Sequence, residues 1–383
     1  MDKTSIIEQP TLRRAPFQGT TIPFSEASAP LPIVPARFDM DPVSVSGTSE
    51  GAIGGLPVSL PAAQPTSLLR SAVLLMAPHE IVILFFAVVF MVVALAGSGR
   101  VTEWPTVLFR MTAVIAIVFA VNTLSRLRPG KLSLLVKLFY VVVLPPVFFK
   151  AAEFIAFPLH GHDFDSMLIL VDRMLCFGAN PTVWLYQHIP LVPAFVEYLQ
   201  ICYSLFYFLP LVLAVEMYRN SQKEELQTVF FVVLYGFLIS YVSYFFFPSV
   251  GPRFTLHDFT LTSKELPGIF ATNWLRDLLN LGENIKPGMP LAESLRVVTR
   301  DAFPSGHSEV TILTVILAFK FRARLRWPLA IVGGSLLFST VYLRYHYVVD
   351  VLAGALLAMF VLYSWEWLRD RMISLRTGLL RIL

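Results

Sequence analysis

Two histidines stand at the start of apolar runs, among residue types that suit proton transfer. His307 lies within FPSGHSEV at 303–310, and His346 lies within YLRYHYVVD at 342–350. An imidazole can take or give a proton near neutral pH, and it can also act as a nucleophile. The chain thus carries two acid–base groups, each at the mouth of a hydrophobic helix.

The residues before His307 suit a helix N-terminus that binds an anion. Pro304 fits the first helical position, because proline lacks the N–H group that would be unpaired there. Ser305 and Gly306 are then expected to offer free backbone N–H groups at the positive end of the helix. The alternative is a helix cap beside an interfacial histidine.

His346 is followed four residues later by Asp350, so the two side chains share one face of a helix. The carboxylate could hold the proton of one imidazole nitrogen and leave the other nitrogen free as nucleophile or base. An aspartate at membrane depth costs about 2.5–3.5 kcal/mol on insertion scales, which favours a functional role over a solvated pair. With His307, these residues predict phosphoryl transfer through a phosphohistidine, in which one histidine attacks phosphorus and the other protonates the leaving oxygen.

The sequence PSGH at 304–307, followed by H-x3-D at 346–350, resembles the type 2 phosphatidic acid phosphatase superfamily, which also includes vanadium haloperoxidases. The resemblance implies a six-helix catalytic core and a reaction that needs no metal or other cofactor. It further implies that His346 is the nucleophile, that Asp350 orients it, and that His307 is the general acid.

Two departures from the family pattern concern the groups that hold the phosphate. The signature S-R-x5-H-x3-D has Ser339 in place, but Thr340 occupies the arginine position. The signature K-x6-R-P is missing, and FPSVGPR at 247–253 stands in its place. This segment, with FPSGH and YLxxHYxxD, resembles the inositol phosphorylceramide synthase branch of the superfamily.

Another arginine must therefore bind the phosphate, since a guanidinium fork matches phosphate oxygens well. Arg253 is the first candidate, because the topology returns it to the face that carries both histidines. Arg344 is the second, if a break at the helix mouth redirects its side chain, and Arg300 is the third. The backbone of Ser305 and Gly306 completes the predicted phosphate site.

The elements that must position these residues are membrane helices. Of the 383 residues, 56% are hydrophobic and 15% charged, whereas soluble domains carry about 25% charged residues. Because a bilayer-spanning helix needs about 20 apolar residues, we predict an all-α polytopic membrane bundle with eight spans. The predicted spans are 78–97, 104–124, 132–157, 194–217, 227–248, 304–320, 327–345 and 347–368.

Composition divides the chain into four predicted parts. Residues 1–68 hold 10 of the 27 prolines and are predicted to be a disordered tail. Residues 69–130 supply two accessory helices, and 131–370 form the six-helix core that the resemblance implies. Residues 371–383 are predicted to be a basic tail.

Lysines and arginines give the orientation, because they are enriched in cytoplasmic loops. They occur in 125–131, 218–227, 320–326 and the segment from 369 onward. With eight spans these segments share one side with the N-terminus, which we expect to be the cytoplasm. Both histidines then lie on the extracytoplasmic face.

Three other features of the sequence could bear on the site. Cys176 and Cys202 are too few for a disulfide framework. The stretch HGHDFD at 160–165 is expected to be a solvated loop, with head-group contact and a metal site as alternatives. Lys150 and Glu153 are expected to pair with each other, although they could instead line the substrate cavity.

We therefore predict a membrane phosphotransferase or phosphoesterase that takes a lipid phosphate from the membrane. Water as acceptor would make it a phosphatase, of the phosphatidic acid or polyprenyl diphosphate type, and a lipid hydroxyl would make it a transferase. Inositol-phosphate transfer to a lipid alcohol is the finer prediction. A transporter and an inactive lipid-binding relative are the alternatives from other classes. The sequence has no nucleic-acid-binding signature.

Overall fold

The computed structural model describes residues 68–128 and 130–382, and every regular element within them is a helix. The predicted all-α class is confirmed, while the tail predicted over 1–68 lies, apart from Leu68, outside the described residues. One short 3₁₀ helix, Phe259–Leu261, accompanies the α-helices. The α-helices are α1 Leu68–Leu75, α2 Pro78–Ala96, α3 Trp104–Leu127, α4 Lys131–His160, α5 Asp165–Leu175, α6 Pro181–His188, α7 Pro193–Ser204, α8 Phe208–Arg219, α9 Lys223–Ser243, α10 Pro252–Thr255, α11 Thr262–Glu265, α12 Thr272–Gly282, α13 Leu291–Val297, α14 Gly306–Lys320, α15 Arg326–Tyr342 and α16 Val348–Ile382.

Within the described part of the chain, five helices are long and apolar enough to cross a bilayer. These are α2, α3, the Tyr140–His160 part of α4, α9 and α16. A sixth span results if α7 and α8 are taken together, since they meet at a bend of 59°. Pro210 explains this break, because its missing N–H group leaves the carbonyl of Phe206 without its helical partner.

Each of the eight predicted spans coincides with helix, but three differ from the prediction. The span predicted over 194–217 is the broken pair α7 and α8. The spans predicted over 304–320 and 327–345 are α14 and α15, which have 15 and 17 residues and so fall short of a full span. Helix α16 has 35 residues and continues through the predicted basic tail to Ile382.

Helix α9 is the centre of the bundle, in contact with α2, α4, α8, α14 and α16. Its side chains are buried on several faces, as expected of a helix that is apolar all round. At Gly236 an added Cβ atom would lie 2.6 Å from Leu313, so this glycine permits the close approach of α14. The position of His307 at the start of α14 thus depends on the packing against α9.

Two long connections, one between α4 and α7 and the other between α9 and α14, are built from short helices. The first contains α5 and α6, and the second contains α10 to α13. The second segment has its own apolar cluster of Val250, Phe254, Ile285 and Val298. We call α10 to α13 and their connections the cap.

An ion pair within α4 is hydrogen-bonded to the cap. Lys150 Nζ lies 2.9 Å from Glu153 Oε2, which confirms the predicted pairing, and it also donates to Asn284 Oδ1 at 3.0 Å. Asn284 precedes α13. The pair therefore fixes the cap against a membrane helix.

Candidate active site

His307 and His346 lie side by side although 39 residues separate them in the chain. Nε2 of His346 is 3.4 Å from Nδ1 of His307, and the two ring centroids are 5.5 Å apart. The helix mouths of α14 and α16 therefore bring both imidazoles to one point.

The backbone places His346 through a tight ending of α15. Arg344 adopts a left-handed conformation with φ of +71°, and the N–H groups of Tyr345 and His346 both donate to the Thr340 carbonyl at 2.9 Å. This Schellman-type ending reverses the chain. Thr340, at the family's arginine position, thus contributes its carbonyl, while its hydroxyl donates to the Leu337 carbonyl.

The Nδ1 atom of His346 has two possible acceptors. It lies 2.9 Å from the Ala302 carbonyl and 3.4 Å from Asp350 Oδ2. Asp350 Oδ2 also accepts the Tyr347 N–H at 2.9 Å. Asp350 was predicted to orient His346 alone, but it shares this role with the Ala302 carbonyl. The closer carbonyl keeps the proton on Nδ1, which leaves Nε2 with its lone pair.

Burial lowers the pKa of His346 to about 4. The charge of Asp301 and the Ala302 carbonyl oppose this shift, and the charge of Arg253 adds to it. His346 is therefore neutral at physiological pH, which is the state that a nucleophilic nitrogen requires.

Aromatic rings fix the plane of His307. Its ring is stacked on Tyr203 at a centroid distance of 4.5 Å and contacts Phe206 at 4.2 Å. Tyr203 is on α7, and Phe206 lies in the break between α7 and α8. The unpredicted bend thus supplies the wall against which His307 packs.

The start of α14 differs from the predicted anion cradle. Ser305 is the N-cap, since its Oγ accepts the Ser308 N–H at 3.3 Å, and Pro304 precedes the cap. The N–H group of Ser305 donates to the Asp350 carbonyl at 3.0 Å, so it is not free for a phosphate. Gly306 keeps its first-turn N–H, but an added Cβ atom would lie 2.8 Å from the Tyr244 hydroxyl, so packing requires this glycine.

Arg253, on α10, lies beside the histidine pair. Its NH1 atom donates to Asn280 Oδ1 at 3.2 Å, and its NH2 atom forms an ion pair with Glu283. Its Cζ atom lies 5.0 Å from the ring centroid of Tyr345. Its charge lowers the pKa of both His346 and His307, so Arg253 lies within electrostatic range of the histidine pair.

Glu283 forms an ion pair with the guanidinium group of Arg253, which a bound phosphate would also need. Burial raises the pKa of Glu283 to about 7, with the charge of Asp301 adding to the shift and Arg253 opposing it. The carboxyl group therefore changes protonation near neutral pH. Its anionic form competes with a phosphate for Arg253 more strongly than its neutral form does.

The other two arginine candidates point elsewhere. Arg300 donates to Asp163 Oδ1 at 3.2 Å and to the carbonyls of Val298 and Leu295, so it holds the cap. Arg344 is fully buried and pairs with Glu265, with its Cζ atom 4.5 Å above the Tyr186 ring. The left-handed turn redirects Arg344, as considered, but away from the histidines.

The stretch 160–165 was expected to be a solvated loop, but its last residue, Asp165, is buried. Asp165 accepts the N–H groups of Val250 and Gly251 at 3.0 and 2.9 Å, and the Tyr347 hydroxyl at 2.8 Å. It therefore ties the segment before Arg253 to the segment after His346.

Within the described residues, no three His, Cys, Asp or Glu side chains are grouped as a metal ion would require, and both cysteines are free.

Several residues of the site are absent from the sequence-based prediction. Asp172 accepts the N–H groups of Val348 and Val349 at 3.0 and 2.7 Å, so it caps α16 from α5. A buried carboxylate in a short amphipathic segment was a usable hint for Asp172. Nothing local marks Tyr203, Glu283 or the Ala302 carbonyl, because each acts through tertiary contact only.

The comparisons with known proteins agree with this geometry. A family model described as the PAP2 superfamily matches residues 166–364, more than half of the chain, including both histidines and Asp350. No curated protein and no solved structure matches the chain. The predicted resemblance is confirmed at the level of the superfamily, and the apolar helices agree with a membrane location. The chain is therefore an integral membrane protein that belongs to the PAP2 superfamily.

Proposed function

We propose that the chain is a membrane phosphotransferase or phosphoesterase that acts on lipid phosphates through a phosphohistidine at His346. Membership of the superfamily supports phosphatase-type or phosphotransferase-type activity on a lipid phosphate. The observation that carries the proposal is the approach of His346 Nε2 to His307 Nδ1 at 3.4 Å, with His346 Nδ1 held by the Ala302 carbonyl.

In the first step, the lone pair of His346 Nε2 attacks the phosphorus atom. A nitrogen–phosphorus bond forms while the bond from phosphorus to the leaving oxygen breaks. Burial, His346 and Arg253 lower the pKa of His307, so it must take up its proton as the negative charge of the phosphate enters the site. It then gives this proton to the leaving oxygen, so the lipid alcohol leaves neutral. The contact between the two imidazoles must open to admit the phosphoryl group.

In the second step, His307 accepts the proton of the acceptor hydroxyl as this oxygen attacks phosphorus. The nitrogen–phosphorus bond breaks, and His346 returns to its neutral form. Arg253 would hold the non-bridging phosphoryl oxygens, whose charge is stabilised most by fixed cations in a water-poor site. Glu283 must give up part of its contact with Arg253 for this purpose.

An apolar groove supports a lipid as the substrate. It lies between α4, α8 and α9 and is lined almost entirely by apolar side chains. Tyr207 and Phe237 line it, with stacked rings at a centroid distance of 5.6 Å. Tyr207 follows Phe206, which contacts His307. An acyl chain in this groove would place its headgroup near the histidines.

The finer proposal is transfer of a headgroup phosphate, such as inositol phosphate, to a lipid alcohol. The branch resemblance at 247–253 supports it, as does the packing of His307 against Tyr203 and Phe206, which reduces access of water. We also propose that the site faces the extracytoplasmic side and takes its lipid from the outer leaflet.

The test is to trap the intermediate with ³²P-labelled lipid phosphates and purified protein. We expect a labelled protein whose phosphate is lost in acid and kept in base, as for phosphohistidine. His346→Ala should give no label, whereas His307→Ala should retain slow labelling. An exposed change, Arg296→Gln, is the matched control. Absence of label and turnover in wild type would refute the enzyme and favour the transporter or the inactive relative.

The acceptor is tested separately with labelled phosphatidylinositol and either ceramide or diacylglycerol. A labelled lipid product supports transfer. Free phosphate or inositol phosphate as the only products would refute the transferase proposal and leave the hydrolase.

A further inference from the structure

Two further arginines, Arg276 and Arg344, are buried near each other, and Arg276 lies next to the hydroxyl of Tyr345. Arg276 on α12 is 5% exposed and Arg344 is 0% exposed. The Tyr345 hydroxyl interacts with Arg276 but donates its own proton to Gln200 Oε1 at 3.2 Å. The positive charge of Arg344 lowers the pKa of Arg276. We call Arg276, Arg344 and Gln200 the second basic cluster.

Most nitrogen atoms of the cluster have no protein acceptor at good hydrogen-bond geometry. They are NH1 and NH2 of Arg276, Nε and NH2 of Arg344, and Nε2 of Gln200. All five are donors, and a guanidinium cannot lose its proton to become an acceptor. A donor-only set matches an oxyanion better than a hydroxyl group or a water molecule, because these bring hydrogens of their own.

The nearby carboxylates leave these donors unused. Glu265 pairs with NH1 of Arg344 only, and Arg276 Nε donates to Gln200 Oε1 at 3.3 Å. The charge of Glu197 also reaches Arg276, but that carboxylate accepts backbone N–H groups at the start of α12. Among the described residues, Glu265 is thus the one carboxylate ion-paired with the cluster, and it pairs with Arg344 and not with Arg276.

The backbone at Arg344 also points to a function for this side chain. Arg344 occupies the left-handed position that ends α15, where glycine is usual. A residue with a side chain is strained there, and such strain concentrates at functional sites. The chain nevertheless has a long cation at this position and buries it completely.

The second basic cluster lies near both the surface and the histidine pair. Tyr186, 40% exposed, and Glu265, with a side chain 28% exposed, cover Arg344. Tyr345 lies between this cluster and Arg253, whose Cζ atom is 5.0 Å from the ring centroid. One aromatic ring thus separates the two basic sites.

We propose that Arg276, Arg344 and Gln200 bind a second oxyanion, carried by the headgroup of the lipid whose phosphoryl group reacts at His346. This inference rests on the proposed function. The substrate class is therefore a phospholipid with an additional phosphate, sulfate or carboxylate on its headgroup. Tyr345 separates this anion from the reacting phosphorus, so the two are not neighbouring groups of one diphosphate.

Binding of inorganic phosphate to the full chain in lipid nanodiscs tests the site without turnover. Calorimetry should find two sites in wild type, one lost in Arg253→Gln and the other lost in Arg276→Met. Arg296→Met, an exposed change in α13, should keep both. Two sites in Arg276→Met, or one site in wild type, would overturn the inference.

Thermal unfolding separates binding from a structural role. Without phosphate, Arg276→Met should unfold at the wild-type temperature or above it, because it removes buried unpaired donors. Phosphate should then stabilise wild type more than the variant. If Arg276→Met does not fold, Arg276→Lys replaces it and should bind phosphate at least about tenfold more weakly, since it loses the guanidinium fork.

The headgroup assignment is tested with phosphatidylinositol and phosphatidylinositol 4-phosphate of equal acyl chains. Arg276→Met should raise KM about tenfold or more for the second lipid only, since it loses the fork that binds the added phosphate. An equal effect on both lipids would show that the site binds free phosphate and not this headgroup. Two phosphate sites without turnover of any lipid phosphate would refute the proposed function and leave the second site standing.

Discussion

At the scale of residues, the proposed chemistry depends on the contact between two imidazoles. Motif spacing indicated which histidines would meet, because each opens an apolar helix and both belong to one face. It could not indicate the Ala302 carbonyl, which a loop brings to His346 Nδ1 at 2.9 Å. Every residue has a backbone carbonyl, so a sequence motif cannot show which carbonyl will contact the histidine.

Asp350 should matter less than an aspartate that is the only group holding a histidine proton. In Asp350→Asn the Ala302 carbonyl still accepts from Nδ1, so we expect kcat to fall about 10–10²-fold, against the ~10⁴-fold loss known for a triad aspartate. The measurement is kcat on a lipid phosphate, with the unfolding midpoint as control. A loss of the full ~10⁴-fold with unchanged folding would contradict the shared orientation.

Glu283 should make substrate affinity depend on pH. Above about pH 7 its carboxylate is charged and competes for Arg253, and below this pH it is neutral. We therefore expect KM for a phosphodiester to rise about 3- to 10-fold as pH increases through 7, because a charge-assisted hydrogen bond must be displaced. A phosphodiester is needed because a phosphomonoester titrates near pH 6 itself.

Glu283→Gln keeps an acceptor for Arg253 without the charge. Its KM should be low and nearly constant across the same pH range. A wild-type KM that does not change with pH, or a variant that keeps the wild-type profile, would show that Glu283 does not compete with the substrate.

At the scale of elements, the sequence predicted where helices lie better than how they end. Apolar runs located the helical segments of all eight predicted spans. The break between α7 and α8 was missed, because hydropathy continues through it. The short helices of the cap were also missed, since their apolar faces cover only one or two turns and show no long period.

Gly251 is an element junction that should not accept a side chain. Its φ is +88°, and an added Cβ atom would lie 2.7 Å from the Tyr345 carbonyl. Gly251→Ala should therefore lower the free energy of unfolding by about 1–3 kcal/mol and displace Arg253, two residues later. Chemical denaturation and KM measure the two effects.

Gly282 provides the matched control for that change. An added Cβ atom meets nothing within 4 Å at Gly282, near the end of α12. Gly282→Ala should leave stability unchanged or raise it by a few tenths to about 1 kcal/mol. Equal destabilisation by both changes would mean that the contact at Gly251 is not the cause.

At the scale of the whole molecule, the prediction from charge concerns which side the site faces. Composition was sufficient for an all-helical membrane bundle, because few alternatives bury so many apolar residues. The role of residues 1–68 could not be predicted, since a Pro-rich segment without periodicity has no preferred partner in the sequence.

Labelling of single cysteines tests the orientation. In a chain with Cys176→Ser and Cys202→Ser, the exposed cap position Lys286→Cys should react with an impermeant maleimide on intact cells. Lys223→Cys, exposed at the start of α9, should react only after permeabilisation. The reverse pattern would place the histidines in the cytoplasm and refute the proposed entry from the outer leaflet.

The shortness of α14 has a consequence for the surrounding lipid. Its 15 residues extend about 22 Å, whereas the hydrocarbon layer is about 30 Å thick. A bilayer around this helix must thin locally, or the reacting headgroup must sink below the level of its neighbours, at a cost of fractions of a kcal/mol per ångström. We therefore expect the turnover rate to depend on bilayer thickness. It should be higher in membranes of short-chain lipids and lower in thicker membranes that contain sterol.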